Sequence, residues 1–124
     1  MNKCIFPVAA VLACAVITCG CAPRNVSYSS DVRPILDMHC VECHAPGKEG
    51  FEKSAFDVRT YDSLMKGGKF GPLVKPGDAF TSALNMLVEG RVDSSIRMPH
   101  NRKKLSDHET ETLKVWVNEG AKNN

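Results

Sequence analysis

The sequence predicts a small all-α domain, and three observations support this. Near each end of the body, apolar residues recur at helical spacing behind residues that cap helices well. Between these two segments, glycine and proline are frequent, and no stretch sustains the polar–apolar alternation of a strand. At 124 residues, the chain is long enough for one ordinary domain and too short for two once a leader is removed.

The charge balance argues against whole classes of partner. Lys and Arg number 16 and Asp and Glu number 14, which gives a formal net charge of +2. This leaves no basic excess of the kind that binds nucleic acid, and no acidic excess typical of a solvating tail. Aromatic residues make up only 6% of the chain, so a bound cofactor would add bulk that the core otherwise lacks.

Residues 1–20 are predicted to be a signal peptide. Lys3 gives a positive start, and residues 4–18 form a nearly unbroken apolar run, shorter than the ~20 residues of a membrane-spanning helix. The run ends in a segment that resembles the lipobox of bacterial lipoproteins, with the small residue Gly20 directly before Cys21. This resemblance implies that Cys21 is lipidated and anchors an exported protein on the periplasmic side of a membrane. An ordinary cleaved signal and an uncleaved anchor are the alternatives.

Residues 21–29 are then predicted to be a polar tether, and residues 30–124 the folded domain. Six cysteines at first indicate a disulfide framework, but four of them lie in the leader, up to and including Cys21. The body therefore keeps only Cys40 and Cys43. A secreted domain that depends on disulfides rarely uses one pair separated by two residues, so these cysteines indicate a different chemistry.

The first helix is predicted to begin near Ser30 or Asp31, either of which is a good N-cap. Pro34 then falls in the first turn, where its missing N–H does little harm. The apolar spacing carries this helix into Cys40. The residues at helical spacing are Val32, Ile35, Leu36 and His39.

The middle of the chain is predicted to consist of loops and short helices. Thr60 is expected to cap a short helix over residues 61–66. Loops as long as those between the helices usually wrap something in a domain of this size. The other predicted features are a loop at 45–50, turns at 67–72 and 75–78, and a helix at 80–89 that ends at Gly90.

The last helix has the clearest start in the sequence. Ser106 and Glu109 form an S-x-x-E capping box, and Gly120 is placed to end the helix. The apolar residues Leu113, Trp116 and Val117 fall on one face, which predicts the face that packs on the core.

The chemistry is carried by the C-x-x-C-H attachment motif of c-type haem, which here is Cys40-Val41-Glu42-Cys43-His44. Cysteines three apart at a helix end reach the two vinyl groups of one porphyrin as thioethers. The histidine that follows is delivered to one axial position of the iron. The motif therefore predicts one covalently attached haem. A redox dithiol and a zinc site that adds two histidines are the alternatives.

A second axial ligand decides what such a haem does. Met98 is the main candidate, because it lies in a non-helical segment before Pro99, whereas Met65 and Met86 lie in predicted helices and Met38 is too close to the motif. Methionine opposite histidine raises the reduction potential and favours electron transfer. His100 is the main rival and would lower the potential. His39 and His108 are expected on helix surfaces or near the haem propionates.

These motifs resemble class I c-type cytochromes, and most closely the planctomycete-type cytochrome c domain. The matching pieces occur in the family's order over residues 27–121. They are Asp31-Val32-Arg33-Pro34-Ile35-Leu36, Cys40 to His44, Lys66-Gly67-Gly68, Pro76-Gly77-Asp78, Met98-Pro99, Leu105-Ser106 and Trp116-Val117-Asn118-Glu119-Gly120-Ala121.

The resemblance implies a small cytochrome c-like fold. In that fold, the N- and C-terminal helices pack beside the haem, with Trp116 in the last helix, and long loops wrap the cofactor. It also implies that the methionine of the Met-Pro element, Met98 here, is the distal ligand. The family commonly has a second proline after that element, where this chain has His100.

The predicted function is that of a monohaem electron carrier that cycles between Fe(II) and Fe(III). Its partners would be a donor and an acceptor protein, with a lipid anchor in the membrane and no nucleic acid. No residue is predicted to act as an acid, base or nucleophile, so the chain by itself is not expected to be an enzyme. The alternatives are a haem with an open sixth site for peroxide or gases, and a zinc-stabilised interaction module.

Several basic residues are candidates for contacts with the haem edge or with a partner protein. Lys69 or Arg97 is a candidate partner for a haem propionate. The segment Asn101-Arg102-Lys103-Lys104 is expected to be a solvated loop, or alternatively a patch that steers an acidic redox partner.

Overall fold

Five α-helices and one π-helical turn form the regular structure of residues 25–124, the part of the chain that the computed structural model describes. Over this range there is no strand, only an isolated bridge between Gly68 and Gly71. The all-α prediction is therefore confirmed. The elements are a π-helical turn Tyr28–Val32, α1 Arg33–His39, α2 Glu49–Ser54, α3 Tyr61–Lys66, α4 Ala83–Glu89 and α5 Asp107–Asn118.

The N-terminal predictions fall mostly outside this range. The signal peptide of residues 1–20 and the lipidation site Cys21 lie outside the described residues. Between residues 25 and 124, every helix is too short or too polar to span a bilayer.

The first helical segment begins at Tyr28, earlier than the predicted start at Ser30 or Asp31. Ser27 is the N-cap instead, and its hydroxyl accepts a hydrogen bond from the Ser30 amide at 3.3 Å. Asp31 lies inside the first turn, where its carboxylate accepts from the Ser27 amide at 2.8 Å. Because the helix starts earlier, Tyr28 belongs to it and is buried. With a cap at Ser30, Tyr28 would belong to the tether. Pro34 does lie in the first turn of α1, as predicted.

Helix α2 was not predicted, because residues 45–50 were assigned to a loop. No side chain caps its N-terminus. Its support is the i, i+4 ion pair between Glu49 and Lys53 at 2.6 Å, together with a tertiary hydrogen bond from the Phe51 amide to the Cys43 carbonyl at 3.0 Å. The helix therefore depends on docking against the attachment motif more than on local signals.

Helices α3 and α5 match their predicted capping. The Thr60 hydroxyl accepts a hydrogen bond from the Ser63 amide and so caps α3, and the Ser63 hydroxyl accepts one from the Thr60 amide. The Ser106–Glu109 capping box opens α5. Helix α4 starts at Ala83, three residues later than predicted, because a turn closed by hydrogen bonds from Thr81 to Asp78 occupies the preceding residues. Gly90 ends α4 in the left-handed conformation with φ of 73°, as expected for a C-terminal glycine.

The core joins the two ends of the described chain. Trp116 is 1% exposed, and its Nε1–H donates to the Lys122 carbonyl at 2.9 Å. The Tyr28 ring lies 5.7 Å from the Trp116 ring and 5.2 Å from the Tyr61 ring. Burial of such large rings stabilises the contact between the first and last helices, which is the packing that the resemblance implied.

Candidate functional site

The attachment motif forms a tight turn at the end of α1. Cys40 is the C-cap residue, and its carbonyl accepts from the Cys43 amide at 3.1 Å and from the His44 amide at 2.9 Å. This turn keeps the two cysteines and the histidine on one short, hydrogen-bonded segment. Both cysteines are partly covered free thiols with no disulfide between them. Each is thus available for a thioether bond.

The environment of Cys40 is that of an inert thiol. Burial of the sulfur among its neighbours raises the pKa of Cys40 to about 12, and the nearby Cys43 thiol raises it further, although the residue as a whole is only partly covered. The attacking cysteine of a redox dithiol has the opposite property, a lowered pKa that keeps a thiolate present. Cys40 is therefore not suited to be the attacking thiol of such a pair.

The His44 side chain is held as a neutral, partly buried imidazole. Burial lowers the pKa of His44. The nearby Phe56 backbone has a smaller, opposite effect on this pKa, but it forms no hydrogen bond of regular geometry with the ring. The ring packs edge-on to Phe56 at 5.6 Å between centroids. Nδ1 is buried with no hydrogen-bond partner. A neutral imidazole is the metal-binding form of histidine, and a carbonyl near the second ring nitrogen is the usual means of orienting it.

Two later segments clamp the motif from outside. The Val58 amide donates to the His44 carbonyl at 3.0 Å, and the Phe51 amide donates to the Cys43 carbonyl at the same distance. Gly50 in α2 lies so close that a Cβ there would be 2.8 Å from the Cys43 oxygen and 3.0 Å from His44 Cε1. Sequence reasoning missed this glycine. The sequence feature that could have indicated a close contact is the position of Gly50 directly before the apolar residue Phe51.

Met98 lies in the segment that follows α4. Its side chain is partly buried and packs against the hydrophobic core, and its amide donates to the Leu87 carbonyl at 3.1 Å. The peptide bond between Met98 and Pro99 is cis. Four residues later, Arg102 forms an ion pair with Glu42, which stands between the two cysteines. The segment that carries Met98 therefore returns to the attachment motif.

His100 and the other rival ligands are placed less favourably. His100 is exposed and lies near Glu49 of α2. The pKa of the Glu49 carboxylate is lowered mainly by Lys53 and to a lesser extent by His100. His39 Nε2 is 2.9 Å from Glu109 Oε1 and so is engaged in a link between α1 and α5. His108 is exposed on α5, and Met38 is 70% exposed.

The basic residues singled out in the sequence are at the surface. Lys69 lies over the exposed Phe70 ring at 4.9 Å, and Arg97 packs its aliphatic part near Gly90. Residues 101–104 are all exposed, in agreement with a solvated loop.

Two surface clefts lie away from these residues. One of about 540 Å³ lies between residues 77–80, the end of α4 and the helix α5, and one of about 420 Å³ lies at residues 72–76 and 81–83. Neither is lined by the motif or by Met98. Within residues 25–124, no group of three or more His, Cys, Asp or Glu side chains is arranged to hold a metal ion. The zinc alternative thus gains no support from the arrangement of these side chains.

Comparison with known proteins gives one match. Residues 40–101 match a family model described as planctomycete cytochrome C, over a stretch that begins at Cys40 and contains Cys43, His44 and Met98. No curated protein and no solved structure matches the chain.

Proposed function

The chain belongs to the planctomycete cytochrome C family, and from this we propose that it is a monohaem electron carrier on the periplasmic side of a bacterial membrane. In this proposal Cys40 and Cys43 would hold the haem covalently, and His44 and Met98 would bind its iron. The observation that carries the proposal is the C-x-x-C-H turn itself, with two free thiols and a partly buried histidine on one segment.

The residues present fit a covalently bound haem. Thioether formation uses two thiols, and Cys40 and Cys43 are both free thiols in this structure. The buried, unpartnered Nδ1 of His44 lies near the Phe56 backbone, so that a small adjustment on metal binding would complete a hydrogen bond there. Gly50 removes the side chain that would otherwise press on the His44 ring.

When bound, haem c supplies a one-electron Fe(II)/Fe(III) couple. The chain's own residues fix the geometry of that couple. His44 is oriented by the turn on one side and by the Val58 and Phe51 hydrogen bonds on the other. The apolar core against which Met98 packs covers part of this side chain. An arrangement held this firmly changes little between oxidation states, which favours rapid electron transfer.

Met98 is preferred to His100 as the distal ligand because of burial. The methionine side chain is partly buried and packs against the core, whereas the histidine is exposed beside α2. The partly covered thioether is therefore better placed than the exposed imidazole to bind an iron inside the protein.

The location and partners are part of the proposal. Cys21 carries the lipid, and the donor and acceptor are redox proteins at the same membrane. Arg102, Lys103 and Lys104 are exposed and could guide an acidic partner, although Arg102 is already paired with Glu42. A Cys21→Ala variant is expected to move from the membrane fraction to the soluble periplasm. Retention of that variant in the membrane fraction would contradict lipid anchoring at this residue.

The deciding experiment is an absorption spectrum of the protein expressed with a haem-attachment system. We expect a c-type reduced spectrum and, in the oxidised protein, the weak far-red band of Met–Fe(III). Met98→Ala should abolish that band, and the matched variant His100→Ala should keep it. A c-type spectrum of the wild-type protein that lacks this band would move the distal position to His100 or to an open site. A colourless protein would overturn the haem assignment.

A further inference from the structure

Asn85 has a fully buried side-chain amide that makes no hydrogen bond. It lies in the first turn of α4, is 0% exposed, and neither Nδ2 nor Oδ1 has a hydrogen-bond partner. Ser82, three residues earlier, is equally buried, but its hydroxyl accepts from the Lys75 amide at 2.8 Å and donates to the Asp78 carbonyl at 2.9 Å. A buried amide without partners destabilises a fold, whereas leucine of similar size would not. Asn85 therefore needs a role that the apolar core does not explain.

The surroundings of Asn85 lead to the segment that carries Met98. Asn85 shares the buried side of α4 with Leu84 and Val88. Both of those residues belong to the core cluster against which Met98 packs. The Met98 amide also bonds to the Leu87 carbonyl, two residues beyond Asn85. Backbone and side chain thus hold Met98 beside the helix that presents the unpartnered amide.

The chemistry of the two groups is complementary. An asparagine amide carries two N–H donors, and a thioether sulfur is a weak acceptor with no donor of its own. A sulfur that binds iron through one lone pair retains a second lone pair for a hydrogen bond. Donation to that pair both orients the sulfur and withdraws electron density from it. Weaker donation by the sulfur disfavours the ferric state and so raises the reduction potential.

We propose that Asn85 is a positioning residue for the distal ligand: once haem is bound, its Nδ2–H group donates to Met98 Sδ and holds the thioether toward the iron. This hydrogen bond is not formed in the present structure, where Asn85 Nδ2 has no partner. This inference rests on the proposed function, because it requires Met98 to be the ligand. It adds a specific residue that neither the motif nor the family match identifies.

The test uses the haem-loaded protein with Asn85→Leu, and Ser82→Ala as the matched control, since Ser82 is a buried polar residue at the start of α4 outside the cluster that Met98 contacts. In the reduced wild-type protein, NMR should show a nuclear Overhauser effect between the Asn85 side-chain amide and the Met98 methyl group. Asn85→Leu should lower the reduction potential and let imidazole displace Met98 with roughly three- to tenfold tighter binding, as expected for one lost hydrogen bond. Ser82→Ala should unfold more easily but keep the wild-type potential and imidazole affinity.

The outcomes separate this inference from the proposed function. If the wild-type protein shows the far-red methionine band but Asn85→Leu keeps its potential and imidazole affinity, the role of Asn85 is wrong and the ligand assignment stands. An Asn85 amide that contacts a haem propionate in place of the Met98 methyl group also overturns the inference. If the wild-type protein lacks the methionine band, both are overturned together.

Discussion

Gly50 offers the sharpest test of how α2 supports the attachment motif. A Cβ added there would lie 2.8 Å from the Cys43 carbonyl oxygen and 3.0 Å from His44 Cε1. The optimum between non-bonded atoms is about 3.5–4.0 Å, so the methyl group of Gly50→Ala falls well inside it. The Cys43 oxygen cannot retreat freely, because it accepts the Phe51 amide hydrogen bond that docks α2. Either the helix or the motif must move.

The magnitude follows from two opposing effects. Alanine is better than glycine in a helix interior by about 1 kcal/mol, and by less in the first turn where Gly50 lies. Overpacking against a backbone group costs about 1–3 kcal/mol. The clash is therefore expected to win, with a net loss of about 1–2 kcal/mol in the free energy of unfolding. For a domain of this size, this corresponds to a melting temperature lower by about 5–15 °C.

The assay is thermal unfolding of the haem-loaded protein followed by circular dichroism, together with the far-red band of the oxidised state. Gly47→Ala is the matched control, since a Cβ there meets nothing within 4 Å but the residue has φ of 80°. The control should lose about 1–2 kcal/mol from backbone strain alone and keep a wild-type spectrum. Gly50→Ala should lose stability and also perturb the spectrum through His44. A Gly50→Ala protein with wild-type stability and spectrum would refute the reasoning.

Three further changes test the ends and the centre of the fold. Ser106→Ala removes the hydroxyl that caps α5 and should lower the free energy of unfolding in urea by about 1 kcal/mol; no change would show that the capping box is dispensable. Leu113→Ala, at a fully buried site, should cost about 2–5 kcal/mol in the same assay, and a loss below 1 kcal/mol would mean that the core refills the space. The pKa of Glu109 is lowered to about 2, first by the Ser106 amide and then by His39, so its stabilising effect is complete above the usual glutamate pKa of about 4.3 and is lost as pH falls towards 2. Glu109→Gln should therefore lose less stability than wild type between pH 5 and 2 (about the range these pKa values span), and parallel curves over that range would contradict the assignment.

The parts of the fold that sequence reasoning predicted are those specified by neighbouring residues. The capping boxes of α3 and α5 involve side chains and amides only three positions apart, so their signal is complete within a few residues. Helix α2 has no such signal. Its docking depends on the Cys43 carbonyl, a group brought near by the turn of the motif, and no pattern within Glu49–Ser54 reveals this contact.

The candidate site shows the same division. Cys40, Cys43 and His44 are recognisable because the attachment chemistry dictates their spacing, whatever the surrounding fold. Gly50 and Asn85 have no motif. Their importance lies in a close approach to the motif and in a buried amide without a partner, and both are properties of packing. The start of the first helix at Tyr28 was missed for a related reason, since the burial of Tyr28 against Trp116 depends on α5.

The two ends of the described chain are fastened to each other, and under the proposed lipidation this limits how far the domain can move from the membrane. The Val26 amide donates to the Glu119 carboxylate at 2.9 Å, and the Tyr28 amide donates to the Asn124 side chain at 2.8 Å. Under the proposed lipidation of Cys21, the chain from Cys21 to Val26 could span at most about 17 Å. The radius of gyration of a 100-residue domain is about 13 Å, so this span is shorter than the diameter of the domain. Such a carrier would meet its partners by lateral diffusion along one membrane surface, in two dimensions rather than three.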